Sequence, residues 1–219
     1  MKQAKRRQKL LTLSKLLLFA ALLVITIGLL VFWQQLQSDK TASSPQNIQT
    51  TTEARPSTEK PSEDHFAQYT VAPDVPRYIF IDKISVKAII KPLGVTTDNY
   101  LEAPANIHET GWYRESAKPG HAGAMVIDGH VGLDQTPGVF YQLHDLQAGG
   151  SITIERGDGA VFHYSVVKSV VYEANNVDMN AALRPIGDQP GLNLITCAGT
   201  FNPDTQTFDQ RLVVYAQQL

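Results

Sequence analysis

The sequence predicts a mostly β domain over residues 74–219, carried behind an apolar N-terminal helix and a polar stalk. Three observations lead there. From residue 77 onward, short runs rich in Ile, Val, Phe and Tyr alternate with turn residues, the pattern of an antiparallel barrel or sandwich. Between two of these runs stands Gly157-Asp158-Gly159, a hairpin signal. Ahead of them, 16–33 carries no charge, and 34–73 is rich in Ser, Thr, Gln, Pro and Glu.

The N-terminal elements follow from charge and length. Residues 1–15 hold Lys2, Lys5, Arg6, Arg7, Lys9 and Lys15 and no acid. The eighteen residues of 16–33 would span about 27 Å as a helix, close to a bilayer's hydrocarbon core. A cleaved signal peptide has a shorter apolar core and small residues at the cut, whereas Gln34, Gln35, Leu36 and Gln37 follow here. The reading is an uncleaved single-pass anchor in the cell membrane, held by lipid. Its basic flank lies in the cytoplasm and the rest of the chain outside. Residues 34–73 lack the apolar content to offset ordering entropy, and read as a disordered stalk with a reach of about 35 Å.

Within the globular part, strands are expected at 77–84, 86–93 (with Pro92 ending the second), 124–128, 151–155, 161–172, 191–196 and 210–216. Residues 175–183 read as a short helix. A loop over 198–209 would join the last two strands, and loops of that length in a compact domain are usually functional. No internal repeat is visible.

Formal charge divides unevenly. The chain sums to −2, while the first fifteen residues carry +6, so the remainder carries −8. An acidic exterior segment speaks against nucleic acid as a partner. There is one cysteine, Cys197, so no intramolecular disulfide can form. A lone thiol is either a small buried hydrophobe or a reactive group. If the strands either side of 198–209 pair antiparallel, Arg211 lies beside Cys197. A cation there lowers a thiol's pKa and offers donors to an oxyanion. A cysteine nucleophile also needs a proton carrier. Of His65, His108, His121, His130, His144 and His163, only His130 closes an apolar strand behind a glycine, where site residues commonly sit on a rigid scaffold.

Ile127-Asp128-Gly129-His130, Leu194-Ile195-Thr196-Cys197 and Arg211-Leu212-Val213-Val214-Tyr215-Ala216 together resemble the sortase family. In that family a His at a strand end, a Thr-Leu-x-Thr-Cys strand and an Arg on the next strand occur in this order. The resemblance covers 76–219. Asn193 departs from it where the family usually has Thr, which bears on the substrate groove more than on the chemistry. Gly111-Trp112-Tyr113 and the Gly-His-Val around His130 are similar to class F and class E members, class F the more so.

The resemblance implies a closed eight-stranded sortase-type β-barrel with one or two short helices. It also implies a two-step cysteine transpeptidation without metal or organic cofactor. Cys197 would attack the Thr–Gly carbonyl of a Leu-Pro-x-Thr-Gly-like sorting signal on a surface protein, giving a thioester. His130 would protonate the leaving amine and deprotonate the incoming one, from a peptidoglycan precursor or another amine of the cell envelope. Arg211 would hold substrate and oxyanion, Thr196 would support the site, and hydrolysis would be the side reaction. A papain-like peptidase is excluded because no His follows Cys197, and the caspase pattern because Ile-Thr-Cys-Ala-Gly stands where Gln-Ala-Cys-x-Gly is required. The alternative from another class is a non-catalytic, membrane-tethered binding module on the same barrel.

Overall fold

The computed structural model of the chain describes residues 55–96, 101–174, 181 and 184–219. The basic segment 1–15, the expected anchor 16–33 and the stalk up to residue 54 lie outside the described residues. So does nearly all of the helix expected at 175–183. Among the described residues no helix is long and apolar enough to cross a membrane.

A short helix, α1 (Glu63–Gln68), comes first. It is followed by β1 (Pro76–Ile81), β2 (Val86–Leu93), β3 (Thr110–Tyr113), β4 (Ala124–Gly129), the small strands β5 (Gly132–Leu133) and β6 (Thr136–Pro137), β7 (Ser151–Arg156), β8 (Val161–Glu173), β9 (Gly191–Asn202) and β10 (Thr207–Gln218). Eight of them close into a barrel in the order β1-β2-β3-β4-β9-β10-β8-β7, and β5 pairs with β6 as a separate ribbon.

The interior follows from side-chain alternation. Ile79 and Ile81 of β1, Ile90 of β2, Met125 and Ile127 of β4, Ile152 and Ile154 of β7, Leu192 and Leu194 of β9, and Leu212 and Val214 of β10 fill one buried cluster. Residues one step out of phase on β4, β9 and β10 point to the outer face. There Val126, Ile195, Val213 and Tyr215 form a second buried cluster with Leu101, Tyr113, Val170, Tyr172 and Ile186 against it. These three strands are covered on both faces, which is why they read as mostly apolar runs, Asn193 of β9 being a buried polar exception.

Several expectations need correction. The sheet is not purely antiparallel: β2 pairs with β3, and β4 with β9, in parallel. The first strand is cut short by a 3-10 turn at Asp82–Ile84, capped by Ser85 at φ 55°. Pro92 does not end β2, which runs on to Leu93 with Pro92 opposite Trp112 of β3.

Part of the expected stalk is ordered. Over 55–73, α1 stacks Phe66 on Tyr78 at 4.2 Å, and Tyr69 Oη donates to Ile90 O at 2.7 Å. Two aromatic side chains docked on the barrel hold a segment whose polar composition alone suggested disorder. The hairpin signal holds: Gly159 takes φ +84°, and the Asp158 carboxylate accepts from Arg156 and from Ala160 N.

Candidate active site

Cys197 and Arg211 are direct partners across the β9–β10 ladder, so the pairing argued from the sequence is present. Alternation puts both on the outer face, in line with Ile195 and Val213 of the outer cluster. The expected loop over 198–209 is instead mostly strand. β9 continues to Asn202, β10 starts at Thr207, and only 203–206 turn. Phe201 and Phe208 meet edge to face at 5.3 Å in this exposed arm.

A bulge lies between the arm and the cysteine. The register slips between Phe208 and Gln210, and Gly199 takes φ +81° there. A Cβ at Gly199 would come within 2.1 Å of Asp209 Oδ1, the atom that accepts Thr200 N–H at 2.7 Å. The bulge therefore requires glycine two residues after Cys197.

The Arg211 guanidinium curls back on its own strand. Nη1 donates to Phe208 O at 2.9 Å and Gln210 O at 2.8 Å, and Nη2 donates to Thr207 Oγ1 at 3.2 Å. Of its five N–H groups, these bonds leave Nε–H and one Nη2–H to meet another group.

His130 follows β4, the parallel neighbour of β9. Its Nε2 lies 2.7 Å from Pro104 O. A carbonyl only accepts, so Nε2 carries the proton and Nδ1 is left for exchange. The ladder between β4 and β9 ends at Asp128 opposite Ile195. Beyond it the buried Thr196 hydroxyl donates to Gly129 O at 2.7 Å. This bond ties the residue before Cys197 to the residue before His130, which gives Thr196 its structural place.

The electrostatics contain one participant the sequence reading missed. Asp128, in line with Cys197 on the outer face, has its carboxyl pushed up to about 7 by burial, against the pull of Arg211 and of the Gly129 N–H. The Cys197 thiol is also pushed up: burial outweighs the lowering by Arg211, and Asp128 adds to the rise. The cation acts in the expected direction, but the thiol is protonated at rest. The available signal was a lone acid in the apolar run Met125-Val126-Ile127-Asp128.

The other histidines are engaged elsewhere. His65 faces Glu109 at 3.2 Å, His108 faces Thr58 O, His121 faces Pro119 O, His144 faces Asp145 and His163 faces Thr153. Asn193 is fully buried on the outer face and donates to Arg184 O at 3.1 Å. Among the described residues no three His, Cys, Asp or Glu side chains gather as a metal would need. Chemically, the arrangement offers a thiol, a fixed cation and an oriented imidazole beside a buried apolar cluster on the outer face of the sheet.

A family model described as a sortase domain matches residues 79–219. Among solved structures, a lid mutant of sortase A from Corynebacterium diphtheriae is 25% identical with a TM-score of 0.51, covering 75% of this chain and 84% of that one. Sortase A from the same organism is 24% identical at a TM-score of 0.50, covering 74% and 71%. Sortase C-1 from Streptococcus pneumoniae is 20% identical at 0.50, covering 74% of each. None of the curated proteins compared matches the chain.

Proposed function

From the premise that the chain belongs to the sortase family, whose members are cysteine transpeptidases acting on sorting-signal-bearing proteins and amine acceptors, we propose a two-step transpeptidation centred on Cys197. The register pairing of Cys197 with Arg211 is the observation that carries this reading. Cys197 attacks the Thr–Gly carbonyl of a Leu-Pro-x-Thr-Gly-like signal, and the leaving amine takes a proton from His130. The thioester then yields to an envelope amine, deprotonated by the same imidazole, or to water as the side reaction.

The protonated resting thiol fits a site in which the nucleophile ionises only as substrate arrives. His130 takes its proton, and Arg211 steadies the thiolate and then the oxyanion. Burial outweighs Arg211 and keeps the thiol neutral between turnovers, with a smaller contribution from Asp128. The chain is placed in the cell membrane through 16–33 with its barrel outside, a reading supported by the basic flank and the length of the apolar run.

The test is covalent capture. The full chain with a Leu-Pro-x-Thr-Gly peptide should give a thioester adduct by intact mass, and Cys197→Ala none. His130→Ala should slow both formation and resolution of the adduct, since one carrier serves both steps. A folded parent chain that forms no adduct with such peptides would favour the non-catalytic binding module.

A further inference from the structure

Residues 55–59 form a strap on the loop that precedes β3. Ser57 N–H donates to Ala105 O at 2.8 Å and Ile107 N–H to Ser57 O at 2.9 Å, a parallel bridge between Ser57 and Asn106. Asn106 Nδ2 donates to Glu59 O at 2.8 Å. Arg55 pairs with Asp134 in the β5–β6 turn, just after His130. The other end of the strap leads into α1, which Phe66 and Tyr69 fix to the barrel.

The segment clasped by this strap, 104–107, also holds His130. Pro104 O is the acceptor for the ring. Ile107, fully buried, accepts Val139 N–H at 2.7 Å, and the next residue, Phe140, donates its N–H to His130 O at 2.9 Å. Gly138 closes the packing, since a Cβ there would meet His130 O at 2.4 Å. Ring and backbone of His130 both depend on 104–107. The consecutive carbonyls of Pro104 and Ala105 divide the work, one bound to the imidazole and the next to the strap.

We propose that residues 55–59 are a positioning strap for His130: by clasping 104–107 they fix the carbonyl that orients the imidazole. The proposal rests on the reading of His130 as proton carrier. Without the strap, 104–107 loses its outer partner and Pro104 O is free to wander. Displacement of a reacting group by about 1 Å can cost about 10²-fold in rate. The segment N-terminal to the barrel is then part of the machinery, acting through Pro104 rather than on substrate.

The test uses the full chain in detergent, with Ser57→Pro removing the N–H that donates to Ala105 O and Ser57→Ala keeping it. Ser57→Pro should lower kcat for thioester formation by about ten-fold or more and leave KM and the alkylation of Cys197 by iodoacetamide near the parent's. It should also speed water exchange of the His130 Nε2 proton, observed by nitrogen-resolved NMR. Ser57→Ala should match the parent. Asn106→Asp, which removes the Nδ2 donor to Glu59 O while keeping an oxygen to accept His108 N–H, should repeat the split and decides the case if Ser57→Pro does not fold. Parent-like kcat and proton exchange in the strap variants would overturn the proposal. So would a loss of kcat matched by equal losses of melting temperature and alkylation in both, which would make the strap a structural prop. Parent-like turnover in His130→Ala is a separate result, and would remove His130 as proton carrier and the proposal with it.

Discussion

Arg211 acts on two acids along the same side of the sheet, the Cys197 thiol across the β9–β10 ladder and, one strand further, the Asp128 carboxyl on β4, and its charge opposes the burial that raises both. Under the proposed mechanism, Arg211→Ala should lower kcat/KM by about 10²-fold, the scale of losing one oxyanion donor. Arg211→Lys should recover only part of this, because a point charge cannot keep both carbonyl bonds of the fork and still face substrate. Steady-state kinetics on the folded variants checks both. Asp128 gives a pH prediction with a definite sign. A carboxyl at about 7 in the folded chain, against about 3.9 unfolded, binds its proton more tightly when folded. Its contribution to stability is present below the unfolded value and lost as pH rises toward 7. The cost at higher pH is at most about 4 kcal/mol. Asp128→Asn should therefore melt higher than the parent at pH 8, with the gap closing by pH 4. Its Cys197 should also be alkylated at lower pH, since a charge that opposes the thiolate is gone.

The β9–β10 arm shows at the scale of an element how Cys197, the proposed nucleophile, is held in the middle of a strand. Gly199 carries both a positive φ and a near contact with Asp209, whereas Gly159 has φ +84° with nothing near its missing Cβ. Gly159→Ala should cost about 1 kcal/mol from backbone strain alone. Gly199→Ala should cost about 3 kcal/mol and slow adduct formation, because the bulge sets where Cys197 meets Arg211. Urea melts of the two variants give the comparison. In the sequence this arm reads as a loop, since Gly199, Pro203 and Asp204 are turn formers and its side chains are exposed. The core portions of β9 and β10 were legible because both faces are apolar. β3 was missed as a strand: four residues including a glycine carry no period. The strap and α1 were hidden for a related reason, two aromatics in a polar stretch being too few to register as a buried face.

Across the whole molecule, legibility fell with distance along the chain. Neighbouring pairs such as β7–β8 could be read from turn chemistry, and the Cys197–Arg211 register from one presumed hairpin. The parallel joins of β2 to β3 and of β4 to β9 are set by which surfaces remain unburied once the hairpins have formed, and no local pattern encodes that. Nor could the dependence of His130 on residues 55–59 be seen, since it passes through backbone carbonyls that any residue supplies. One feature of the sheet order bears on how the protein is made. β10 comes after β8 and β9 in the chain yet lies between them, so neither has a partner on that side while the ribosome is still working toward it. A chain truncated before Thr207 would have an open sheet and a Cys197 with no guanidinium across the ladder, leaving the thiol without its cationic partner. The surroundings of Cys197 are thus completed last in chain order: the cation that opposes the burial of its thiol arrives only with the final strand of the barrel.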